Sequence, residues 1–185
     1  SSPSAALLRK DFRHFIGNPM YVMNAWLGEI LLVVCCVALL VKRELLQQLL
    51  PVLSGGEGTV GLILCVVLCG ISCTNLIAAP SISLEGKSLW IAQSIPVPAT
   101  AVLRAKARLQ MLMCIPLTAL ASLLVSVILR LSLPMAAMVI LLPAAFNAFS
   151  ALLGVIVNLH FPKFDYINET AVIKQSMSVV ICMFG

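Results

Sequence analysis

The sequence predicts an all-α fold, a polytopic bundle of transmembrane helices, from its composition and from where its charges fall. Of its 185 residues 61% are apolar and 10% are Asp, Glu, Lys or Arg, against roughly 45–50% and about 25% in soluble domains. The apolar residues gather into long runs nearly free of charge, and a run of about 18 or more reads as a bilayer span. The net charge of +5 is scattered between these runs. It makes no continuous basic face, which excludes a nucleic-acid partner as firmly as the composition excludes a soluble enzyme.

The first element, residues 4–17, is an amphipathic helix. At 100° per residue Leu8, Phe12, Phe15 and Ile16 fall on one side and Arg9, Lys10, Arg13 and His14 on the other, and Gly17, Asn18 and Pro19 end the pattern. Such a helix lies flat in the cytoplasmic headgroup layer, its cations on anionic lipid and its rings in the acyl boundary. Four apolar runs follow, at 21–41, 59–79, 109–129 and 133–159. A span of about 21 residues covers roughly 31 Å of helix, close to the hydrocarbon thickness of about 30 Å. Pro116 is expected to disturb the third span, and Pro134, Pro143, Asn147 and Gly154 to tilt or kink the fourth. A fifth run, residues 176–185, reaches only about 15 Å as helix and cannot cross. With Ser1 in place of an initiator Met, the chain reads as one transmembrane domain, 1–185, that is a fragment.

Orientation follows from the basic residues between spans. Arg9, Lys10, Arg13, Lys87, Arg104, Lys106, Arg108, Lys163 and Lys174 fall on one side, and Lys42, Arg43 and Arg130 on the other. The positive-inside rule makes the richer side cytoplasmic. The amino terminus and residues 80–108 are then inside, and the protein is a multi-pass component of the cytoplasmic membrane.

Residues that suggest chemistry have plainer explanations. All seven cysteines lie in apolar runs, and Cys65, Cys69 and Cys73 share a helix face with no His or carboxylate near them in sequence, as small polarisable packing residues do. Gly86, Lys87 and Ser88 end like a phosphate loop, but the position that needs the first Gly is Ser81. If ATP is involved, another subunit binds it. His160, Asp165 and Glu169 read as solvated loop charges, and the sequon at Asn168 falls on the cytoplasmic side. No catalytic residue, metal site or cofactor is expected. Glu29 stands out, because an acidic group at the centre of a span costs roughly 2.5–3.5 kcal/mol. Either it faces a cavity or a proton or substrate path, or it is protonated or hydrogen-bonded to another helix, with Asn75 and Asn147 as the candidate partners.

The run Glu85, Gly86, Lys87, Ser88, Leu89, Trp90, Ile91, Ala92, Gln93, Ser94, Ile95, Pro96, Val97, Pro98, followed by Leu103 and Lys106, resembles the loop between the second and third spans of type-2 ATP-binding-cassette exporter permeases. Residues 7–16 with Asn18, Pro19 and Tyr21 resemble that family's amino-terminal interfacial helix. Asn158, Phe161, Pro162, Lys163, Asn168, Glu169, Lys174, Gln175 and Ser176 resemble a large bacterial subgroup. The resemblance implies a coupling helix over Glu85, Gly86, Lys87, Leu89, Trp90, Ile91, Ile95 and Pro96 that docks on a separate ATPase subunit. It also implies a second permease half or subunit and substrate export driven by ATP. The rival is a non-transporting membrane component for assembly or sensing.

Overall fold

The computed structural model describes residues 3–42, 44, 56–84, 98–161 and 181–182. Among them are six helices and no strand: α1 Pro3–Gly17, α2 Pro19–Ala25, α3 Leu27–Val41, α4 Gly56–Cys73, α5 Ala99–Ile128 and α6 Leu133–His160. Two of these, α5 and α6, are long and apolar enough to cross a membrane by themselves. They pack along each other, and both bury small residues, including Ala121, Ser122 and Ser126 on α5 and Ser150, Ala151 and Gly154 on α6. Ser122 Oγ and Ser126 Oγ donate to the carbonyls of Thr118 and Ser122, 2.7 Å away in each case. Hydroxyls bonded to their own helix let two backbones approach without leaving a polar group bare.

The turn between α5 and α6 is short because the chain reverses at Arg130, whose φ is 52°. Leu131 N then donates to Ser126 O at 3.1 Å, covering a carbonyl at the end of α5. Pro134 sits in the first turn of α6, where a missing N–H costs nothing.

Four complete spans and the start of a fifth are not supported. The first expected span, 21–41, is broken at Trp26, and α2 and α3 meet at a bend of 67°. That pair makes at most one further crossing beside α5 and α6. The second expected span, 59–79, is helical only to Cys73, beyond which residues 74–84 run through turns. The third helix begins at Ala99, ten residues before the apolar run, so residues 99–108 of the expected loop are helical. The fourth is helical through Pro143, as α6. Of the fifth run only Ile181 and Cys182 are described.

Helix α1 does more than float on an interface. Phe15 is fully buried against Tyr21, Ile77, Leu84 and Leu109, and its ring meets Tyr21 edge-on with centroids 5.0 Å apart. Leu8 packs partly against the same cluster, while Phe12, Ile16, Arg9, Lys10 and Arg13 stay exposed. The edge that carries Leu8 and Phe15 thus holds the helix to the bundle, while Phe12 and Ile16 remain exposed to the surroundings.

Candidate functional site: a buried polar joint

Residues 76–84, with Ser81 half-exposed, are buried although they form no regular helix. A buried irregular backbone needs a partner for each N–H and C=O, and α2, α5 and α6 provide several of them, mostly with side chains. Leu76 N donates to Ala25 O at 2.8 Å, the carbonyl beside the Trp26 break. Tyr21 Oη on α2 donates to Ile77 O. Gln110 on α5 does two jobs, accepting from Ala78 N at 2.8 Å and donating to Asn75 O at 3.0 Å. Asn158 on α6 accepts from Ile82 N at 2.8 Å and Ser83 N at 3.1 Å, and donates to Ser83 Oγ at 2.8 Å. Lys106 on α5, also buried, donates to Ser81 O at 3.1 Å, with Asp11 Oδ1 of α1 4.0 Å from its nitrogen.

The break at Trp26 is completed from the same segment. The first N–H groups of a helix have no partner inside it, and no side chain from Trp26 caps α3. Asn75 Oδ1 takes that place, accepting from Glu29 N at 3.1 Å. The approach is close: a Cβ on Gly28 would overlap Thr74 Oγ1 and stand 2.5 Å from Ile71 O. From the opposite side, a Cβ on Gly154 would come 3.0 Å from Ala79 N. The segment is clamped between α3 and α6.

Glu29 lies at the centre of this joint and is 1% exposed. Its Oε1 accepts from Asn75 Nδ2 at 3.0 Å and lies 2.9 Å from Thr118 Oγ1, whose proton is shared with Cys114 O, also at 2.9 Å. Asn147 on α6 reaches the same hydroxyl, with Nδ2 3.1 Å from Thr118 Oγ1 and 2.9 Å from Ser72 Oγ. That amide also lies 3.3 Å from Pro143 O, in the turn where a proline leaves the α6 ladder incomplete. Glu29 Oε2 and Asn147 Oδ1 are buried without a hydrogen-bond partner.

Glu29, Asn75 and Asn147, the polar residues singled out in the apolar runs, therefore meet in one cluster. Asn75 bonds to Glu29 directly, and Asn147 through Thr118. Thr118, Ser72 and Gln110 were not singled out. A hydroxyl in an apolar helix looks innocuous because it can bond its own backbone, as Ser72 does to Leu68 O at 2.8 Å. Gln110 was the more visible signal, a lone amide at the head of an apolar run. Asn158 enters the sequence reading only through the family resemblance and Lys106 only through it and the charge count, and neither signals a grip on residues 81–83. The coupling-helix residues Glu85, Gly86, Lys87, Leu89, Trp90, Ile91, Ile95 and Pro96 lie outside the described residues. Among the described residues no group of three His, Cys, Asp or Glu side chains is placed to hold a metal ion.

A family model described as "Putative ATP-binding cassette" matches residues 1–183. The chain belongs to that family. No curated protein and no solved structure matches it. The match overturns the assignment as an exporter permease that serves a separate ATPase subunit, because the family is described as the ATP-binding cassette itself. It corrects the partners as well: the setting is that of ATP-binding-cassette transporters, but the chain is not established as the partner of an ATPase. The permease resemblance rests on loose motifs at residues 7–21, 85–106 and 158–176, of which 85–97 and 162–176 lie outside the described residues.

Proposed function

We propose that this member of the ATP-binding-cassette family works as a membrane-embedded, multi-pass helical bundle, with the polar joint fixing how its helices cross. The observation that carries this proposal is an inside-out distribution of polarity. Glu29, Ser72, Asn75, Gln110, Thr118, Asn147 and Asn158 are buried, while Val66, Leu120, Val127, Leu141 and Phe149 are more than half exposed. Soluble proteins bury their large apolar side chains and expose polar ones, and rarely show broad apolar patches. Lipid reverses the preference. Buried polar side chains then join helices, and irregular backbone is tolerated where protein encloses it, as residues 74–84 are enclosed.

Membrane insertion is the work assigned to the described helices, and nucleotide binding is assigned to none of their residues. The lipid bilayer is the partner that the exposed surface fits, and the distribution of Lys and Arg orients the amino terminus to the cytoplasm. With the native cysteines replaced, a Cys at Ser54 is expected to react with an impermeant thiol reagent outside intact cells and a Cys at Ser94 to be shielded. Labelling of Ser94 alone would reverse the orientation, and release of the protein from membranes by alkaline carbonate would reject insertion itself.

A further inference from the structure

Two buried acceptors in the polar joint have no donor, Glu29 Oε2 and Asn147 Oδ1, on residues that are 1% and 0% exposed. They belong to one cluster, because the other polar atom of each side chain lies within 3.1 Å of the same Thr118 hydroxyl. Leaving such an atom bare costs about 1–3 kcal/mol, and more if it is charged. The joint's buried cation, Lys106, donates to Ser81 O and lies beside Asp11 Oδ1. Residues 27–41, 56–84, 109–129 and 133–159 contain no Lys, Arg or His, and their one acid besides Glu29 is Glu57, at the start of α4. The titratable groups that interact electrostatically with Glu29 include the thiols of Cys36, on its own helix, and Cys114 on α5.

We propose that the joint is a proton-binding site: Glu29 is held as the carboxylic acid, protonated on Oε2, with Asn147 Oδ1 as the acceptor of that proton. One proton converts one unpartnered acceptor into a donor and gives the other its partner. It arrives from a hydronium ion, which leaves as water, and no other bond changes. A metal ion fits less well, since calcium takes six to eight oxygens and magnesium about six, and two free acceptors fall short. A single trapped water donating to both atoms is the competing occupant. It would leave Glu29 ionised, so the two are separable.

The experiment is infrared spectroscopy of the whole protein in lipid at neutral pH, with and without carbon-13 glutamate, where solvated glutamates are ionised. The proposal expects an isotope-sensitive carboxylic-acid carbonyl band that is lost in Glu29→Gln. Gln imitates the acid, since its carbonyl accepts where Oε1 does and its amide donates where the proton would, so this variant is expected to fold. Should it fail to fold, the isotope-sensitive acid band of the native protein decides alone. Absence of that band at neutral pH overturns the proposal in favour of a carboxylate with water. Loss of the band on exchanging choline for sodium overturns it in favour of a cation site.

Discussion

The α5–α6 pair, with one face exposed, and the buried joint around residues 74–84 hold their backbones in opposite ways. Within α5 and α6 most N–H and C=O groups are satisfied by their own helix, the turns at Pro116 and Pro143 excepted, and most side chains have only to pack. In the joint the backbone has left the helix, and its groups are satisfied by side chains from distant parts of the sequence: Tyr21, Gln110, Lys106 and Asn158. The difference teaches where substitutions should matter. A side chain removed from the paired helices leaves a gap, whereas one removed from the joint leaves a buried backbone group with nothing to bond.

The largest effect is therefore expected at Asn158. Asn158→Leu keeps the apolar bulk of α6 but strips the partner from Ile82 N and Ser83 N, at about 1–3 kcal/mol for each orphaned donor. Thermal unfolding in detergent should show a marked fall. A smaller effect is expected at Gly28, where an added methyl would meet the Ile71 carbonyl and the Asn75 side chain. Gly28→Ala should destabilise by roughly 1–3 kcal/mol, as overpacking does. Gly70 on α4 supplies the control, because a Cβ there meets nothing within 4 Å. Gly70→Ala should be neutral or stabilise by up to about 1 kcal/mol, since Ala suits a helix better than Gly. Equal behaviour of the two glycine variants would erase the contrast between regions.

The same contrast explains how much was legible in the sequence. The cores of α5 and α6 could be read because a long apolar run with few charges has few other fates. The Trp26 break could not, because apolar residues continue across it on both sides and what bends the chain is a carbonyl captured by Leu76, fifty residues away in sequence. The end of α4 was hidden likewise: Leu76, Ile77, Ala78 and Ala79 extend the apolar run, but their backbone is turned. Glu29 was visible because an acid in an apolar run demands a reason. Its partnership with Thr118 was not, since hydroxyls are satisfied equally well at home.

The central claim is that residues 76–84 form an enclosed structural element although they lack regular helix. Hydrogen–deuterium exchange of the intact protein in lipid tests it most directly, read at Leu76, Ala78, Ile82 and Ser83, whose N–H groups donate to Ala25 O, Gln110 Oε1 and Asn158 Oδ1. Slow exchange at these four amides, comparable with the middle of α5, is the predicted result. Exchange as fast as that of an open loop would contradict the joint and the role assigned to Gln110 and Asn158 in building it.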